Sequence, residues 1–107
     1  MSDAPVLSEL NHVTDLDAAS DFEKKHTPYI EADRTDGGVR VTVKIGHYVS
    51  HPNDPDHFIQ WIEVIAGDKQ YRQFLHPNKK PEAMFPIKNS EITLVREYCN
   101  VHGLWKA

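Results

Sequence analysis

Val39-Arg40-Val41-Thr42-Val43-Lys44-Ile45 alternates apolar and polar residues without a break. A period of two marks a β-strand with one face buried and one in water. Its phase predicts a continuation to Val49. Upstream, Asp36-Gly37-Gly38 is a turn, and Tyr29-Ile30-Glu31-Ala32 reads as a strand entering it. Pro28 biases Thr27 toward extended backbone, so Phe22 to Ile30 reads as an exposed loop leading into that strand. Downstream, Ser50 to Asp56 holds Pro52 and Pro55 and reads as a loop. His57 to Ile65 is rich in aromatic and β-branched residues and reads as a strand buried on much of both faces. Ala66-Gly67-Asp68-Lys69 is a hairpin turn, and Gln70 to Leu75 is a further strand. His76 to Pro81 is a loop. Glu82 to Phe85 reads as a short edge strand ended by Pro86. Ile92 to Tyr98 is the last strand expected, and it delivers Cys99 to its end. Residues 1–21 read as an irregular N-terminal arm, with short helical turns at Ser8-Glu9-Leu10 and Asp15 to Ala19. Six or seven short strands and almost no helix predict an all-β protein, a two-layer antiparallel sandwich.

The chain has 107 residues, which fits one domain over 1–107. Such a domain buries roughly two thirds of its unfolded surface, so one core suffices without disulfides. The single cysteine, Cys99, allows no internal disulfide and fits a reducing compartment. No apolar run nears the ~20 residues of a membrane span. Met1-Ser2-Asp3-Ala4-Pro5 lacks a signal peptide's basic start and apolar stretch. A cytoplasmic protein is expected. The net charge of -4 argues against nucleic-acid binding, which wants a basic face. It does not exclude small anions, because local cations can steer them.

Seven histidines in this length favour a metal site. His26, His51, His57 and His102 each border a proline, a turn or a strand end, and loops at one end of a sandwich converge. Cys99-x-x-His102 offers thiolate and imidazole from one tight turn. Alone, that pair is a weak signal. His47 shares the phase of Val41, Val43 and Ile45 and reads as a packed strand residue. His12 and His76 read as exposed, Trp61 and Ile62 as core, and Trp105 as packing for the tail.

These pieces resemble the superoxide reductase family, in its short form neelaredoxin and as the iron domain of desulfoferrodoxin. The resemblance rests on Lys25-His26-Thr27-Pro28, on His51-Pro52-Asn53 with His57 and Ile59-Gln60-Trp61-Ile62-Glu63, and on Cys99-Asn100-Val101-His102-Gly103-Leu104-Trp105. It runs from about residue 22 to the end. It implies an immunoglobulin-like sandwich of about seven strands. It also implies a mononuclear iron with four equatorial nitrogens from His26, His51, His57 and His102, and an axial Cys99 sulfur. The activity implied is reduction of superoxide, with one electron and two protons, to hydrogen peroxide. A homotetramer and a separate rubredoxin-like electron donor are implied too. Longer family members carry a four-cysteine iron module, for which one cysteine leaves no material here.

The chain departs from the family beside the first histidine. The family's usual Glu-Lys-His is here Lys24-Lys25-His26, with Glu23 one place further back. A protonated lysine has no lone pair for ferric iron. The ferric site is therefore expected to be open or water-bound, unless Glu23 reaches it. Lys25 is expected to attract superoxide and to order a proton-donating water, with Lys24 either an additional attractor or neutral. Such steering raises on-rates ~10- to 10³-fold and fades with salt. The backbone N–H groups of Val101 and His102 are expected to bond the Cys99 sulfur and moderate its donation.

Two rival readings differ in testable ways. A cupredoxin-like electron carrier would use two histidines, one cysteine and a methionine just beyond, yet Met84 precedes Cys99 and two histidines stay idle. A closed structural zinc site would take four ligands rather than five.

Overall fold

A computed structural model describes residues 10–88 and 91–107. The strands are β1 (Asn11–His12), β2 (Tyr29–Thr35), β3 (Gly38–Lys44), β4 (Ile59–Ala66), β5 (Lys69–Phe74), β6 (Glu82–Ile87), β7 (Ile92–Cys99) and β8 (Gly103–Lys106). One helix, α1 (Asp21–His26), precedes β2, and a 3-10 turn covers Leu16–Ala18. A five-stranded sheet runs β1-β8-β7-β4-β5 and a three-stranded sheet runs β2-β3-β6. The strand pairs are antiparallel except β1 with β8, which is parallel. This is the all-β two-layer sandwich that the alternation predicts.

The two sheets bury one core between them. Val41, Val43 and Ile45 point inward from β3 and the residue just past it. Ala83, Phe85 and Ile87 do so from β6, and Ile62, Val64 and Ala66 from β4. β4 is covered on both faces. Its outer face carries Trp61 and Glu63, both buried. Glu63 is held by Arg72 at 2.6 Å, by Arg96 at 2.5 Å and by the Gln70 amide. The Arg72 guanidinium lies 3.9 Å from the Trp61 ring centre, and Tyr98 stacks near the same indole with ring centres 5.8 Å apart. Burial pushes the Glu63 carboxyl up, but the bonds from Gln70, Arg72 and Arg96 win and hold it below the usual range.

Several expectations are corrected. Residues Asp21–His26 form α1 and not an exposed loop, because Ser20 and Glu23 make a reciprocal capping box. β3 stops at Lys44. Gly46 adopts φ +76° and turns the chain, so His47 is exposed on a bend and stacks on Tyr29 at 3.6 Å rather than packing inside a strand. Pro86 lies within β6, which tolerates it as a sheet edge. Ile92–Cys99 is followed by one more strand, β8. The turn expected at Asp15 to Ala19 is present as the 3-10 turn. Of the turn expected at Ser8-Glu9-Leu10, the first two residues lie outside the described residues. His12 and His76 are exposed as expected.

Candidate metal centre

Four imidazoles close a ring at one end of the sandwich. His26 ends α1, His51 and His57 lie on the loop before β4, and His102 lies in the turn between β7 and β8. Ring centres are 4.7 Å apart for His26 and His51, 5.0 Å for His51 and His57, 5.0 Å for His57 and His102, and 4.9 Å for His102 and His26. The Cys99 sulfur, at the end of β7 and fully buried, sits 3.7 Å from Nε2 of His51 and 3.9 Å from Nδ1 of His102. The ligand atoms of His26, His57, Cys99 and His102 all lie within 4.8 Å of one another. All five sequence-predicted ligands therefore meet in one place.

The hydrogen bonds show why these rings suit a cation. Nδ1 of His26 bonds the carbonyl of Phe22 at 2.8 Å, and Nδ1 of His51 bonds the carbonyl of Pro52. A carbonyl only accepts, so both Nδ1 atoms carry the proton and both Nε2 atoms carry a lone pair. Those two Nε2 atoms face each other at 3.1 Å. Neither can donate to the other. Nε2 of His57 is buried and has no hydrogen-bond partner among the described residues. Converging lone pairs that lack a proton between them are a poor arrangement for bare imidazoles and a good one for imidazoles around a metal ion.

Burial favours the neutral form, the one that ligates, in His26, His51 and His102. It lowers His26, with the charges of His102, His57 and Lys25 adding, against the Phe22 bond. It pushes His51 down to about 4. His102 is lowered by burial, then by His57 and Lys25. The Cys99 thiol is pushed up by burial, while the backbone N–H groups of Val101 and His102 bond the sulfur and pull it down. Those two sulfur bonds are the ones the Cys99-x-x-His102 turn predicts.

Surrounding residues hold the four histidines in place. Gly46 brings its backbone against His51: a Cβ there would lie 2.7 Å from the His51 nitrogen. The Asn53 side chain accepts from the N–H of Ile59 at 3.2 Å and donates to the carbonyls of His76 at 3.1 Å and Lys79 at 2.6 Å. It thereby ties the His51–His57 loop to the loop before β6. Trp105 stacks on His26 at 4.8 Å and donates from Nε1 to the His102 carbonyl at 3.1 Å. Phe22 packs edge-on against His102 at 4.8 Å and against His26 at 4.8 Å. The sequence reading passed over Phe22, Gly46 and the Asn53 side chain. Asn53 lies in a quoted motif, and its place two residues after a ligand was the available signal.

Lys24 and Lys25 occupy the last turn of α1. Lys25 is near enough for its charge to act on both His26 and His102. Among the described residues neither lysine makes an ion pair. The Glu23 carboxylate accepts from the N–H of Ser20 at 3.0 Å, at the opposite end of the helix from His26.

Four converging imidazoles, rather than two, disfavour the cupredoxin-like arrangement. Among the described residues, no helix is long and apolar enough to cross a membrane.

Residues 18–107 match the family model described as desulfoferrodoxin. The chain is 50% identical over 92 residues to the desulfoferrodoxin of Desulfarculus baarsii, covering 86% of this chain and 66% of that protein. It is 34% identical over 96 residues to the superoxide reductase of Pyrococcus horikoshii, covering 78% of this chain and 84% of the relative. The chain thus spans slightly under two thirds of the Desulfarculus relative's length and 84% of the Pyrococcus one. Among solved structures, a superoxide reductase in the oxidised state superposes with a TM-score of 0.72 at 28% identity, covering 95% of this chain and 96% of that one. The superoxide reductase of Treponema pallidum superposes with a TM-score of 0.68 at 30% identity, covering 80% and 66%. With the family model matched over residues 18–107, the sandwich and its histidine–cysteine cluster belong to the desulfoferrodoxin family.

Proposed function

We propose that this chain is a superoxide reductase whose centre is one iron held by His26, His51, His57, His102 and Cys99. The observation that carries the reading is the ring of four imidazoles with a buried sulfur against it. Four nitrogens and one sulfur from these residues would hold such an iron and leave it room for one small ligand. Bound iron supplies the one-electron couple that reduction of superoxide to hydrogen peroxide requires. The chain supplies the rest. Neutral imidazoles and a single thiolate leave the centre with net positive charge, which suits an anionic substrate. Lys25, whose charge reaches His26 and His102, attracts the anion and offers its N–H donors to a water that delivers a proton. Lys24 adds charge on the same helical turn. With Glu23 committed to the Ser20 cap, its carboxylate does not compete for the small ligand's position. Val101 and His102 N–H groups temper donation from the sulfur.

The separate electron donor, of a rubredoxin-like kind, and the homotetramer belong to the same reading, as does a cytoplasmic, reducing setting for the free Cys99. A single domain over 1–107 belongs to this reading too, and the pairing of β1 with β8 supports it.

The test loads the protein with iron and reads three quantities: metal content, visible spectra in both oxidation states, and superoxide consumption. One iron per chain, a sulfur-to-iron band lost in Cys99→Ser, and peroxide formed without oxygen release are expected. Equal activity after zinc replacement, or a Cys99→Ser spectrum matching wild type, would overturn the reading.

A further inference from the structure

Asn100 follows the sulfur ligand and brackets an imidazole on another segment. Its Oδ1 accepts from the N–H of Phe58 at 2.9 Å, and its Nδ2 donates to the carbonyl of Asp56 at 3.1 Å. Its own backbone N–H donates to the carbonyl of Phe58 at 3.2 Å. The two side-chain bonds fall on the residues immediately before and after His57. The ring between them is the one whose buried Nε2 has no hydrogen-bond partner among the described residues. His26 and His51 are each oriented by a bond from their own Nδ1 to a carbonyl. For His57 the described residues give no such ring bond, so its orientation comes from the backbone that carries it.

We infer that Asn100 is a positioning residue that clamps the Asp56–Phe58 backbone to the Cys99 turn and so fixes His57 relative to the sulfur. The inference rests on the reading of these side chains as metal ligands. The geometry makes the two ligands a coupled pair: any shift of the β7–β8 turn that moves the sulfur carries the His57 backbone with it. An amide is suited to the task, because one planar group must accept on one side and donate on the other. Aspartate keeps the acceptor for Phe58 but sets a second acceptor against the Asp56 carbonyl. Alanine keeps neither bond, while the main-chain bond to Phe58 survives in both.

The test uses cobalt(II) as the probe, with wild type, Asn100→Asp and Asn100→Ala. Outer contacts to metal ligands typically contribute 10- to 100-fold in affinity. Asn100→Ala is expected to weaken cobalt binding by about tenfold or more and to shift the ligand-field bands at saturation, with Asn100→Asp between. A residue that merely stabilised the fold would lower the melting temperature of the metal-free protein and leave the saturated spectrum as in wild type; that result would overturn the inference. Should Asn100→Ala not fold, hydrogen exchange in metal-free wild type decides. A protected Phe58 amide is expected, and exchange at the unfolded-chain rate would overturn the clamp. Failure of wild type to bind cobalt would sink the ligand reading itself, and the clamp with it. Normal wild-type binding with unaltered variants would sink the clamp alone.

Discussion

Glu97 is fully buried on β7, and among the described residues neither carboxylate oxygen has a hydrogen-bond partner. Burial raises its carboxyl well above the ordinary value. A raised acid binds its proton in the fold at pH values where the unfolded chain has released it, so it subtracts stability as pH rises above about 4.5. Glu97→Gln removes that penalty at equal size. The variant should melt higher than wild type at pH 8, with the gap closing toward pH 4.5, as thermal unfolding across pH would show. Glu63 has the opposite sign. Its carboxyl is held low, so its contribution is present above the unfolded value and drains away as pH falls below about 4.5. Lys25→Ala should slow the encounter with superoxide and flatten its dependence on ionic strength, read by rapid mixing with pre-reduced protein. Equal salt slopes in the two proteins would rule out steering. The five residues proposed as ligands stand out in the sequence because each carries chemistry at a loop or strand end. Glu97 was not, since nothing in Val95-Arg96-Glu97 shows that both neighbouring faces of β7 are covered.

The helix α1 shows how a short element serves the site. Six residues are too few for a stable isolated helix, so the capping box and tertiary contacts hold it. Ser20→Ala should cost about 1 kcal/mol in a urea melt. It should also speed metal loss to a chelator, because α1 carries His26. The sequence held the signal in Ser20-x-x-Glu23, but Pro28 drew the whole stretch toward an extended reading. β3 misled in the other direction. Val43, Ile45, His47 and Val49 keep the strand phase, and only Gly46 marks where the chain turns onto His51. Gly46→Ala meets both a left-handed backbone and a 2.7 Å contact. It should destabilise the fold by more than about 1 kcal/mol and broaden or shift the metal's visible bands. β4 and β7 were legible as strands because their length and β-branched content do not depend on a single turn residue.

At the scale of the molecule, the proposed ligands come from three segments far apart in sequence, 26, 51–57 and 99–102, that the sandwich gathers at one end. A metal bound only by the folded chain adds about 2.7 kcal/mol of stability at 100 times its dissociation constant. For a domain of this size, that is a rise in melting temperature of roughly 10 to 20 °C. Scanning calorimetry with and without a chelator would measure it, and coincident melts would mean that the site is not bound in the fold. The two-sheet architecture was legible from strand number, but β8 was not. It is four residues long and hidden inside the Gly103-Leu104-Trp105 motif. The placement of the two tryptophans has an optical consequence. Trp61 lies beneath Arg72 on the outer face of the larger sheet, whereas Trp105 stacks directly on His26. Their fluorescence should therefore divide the molecule's light into two signals. Metal entry should quench the share emitted by Trp105 and spare that of Trp61, so a Trp61→Phe protein would glow only from the site and report its loading without any added dye.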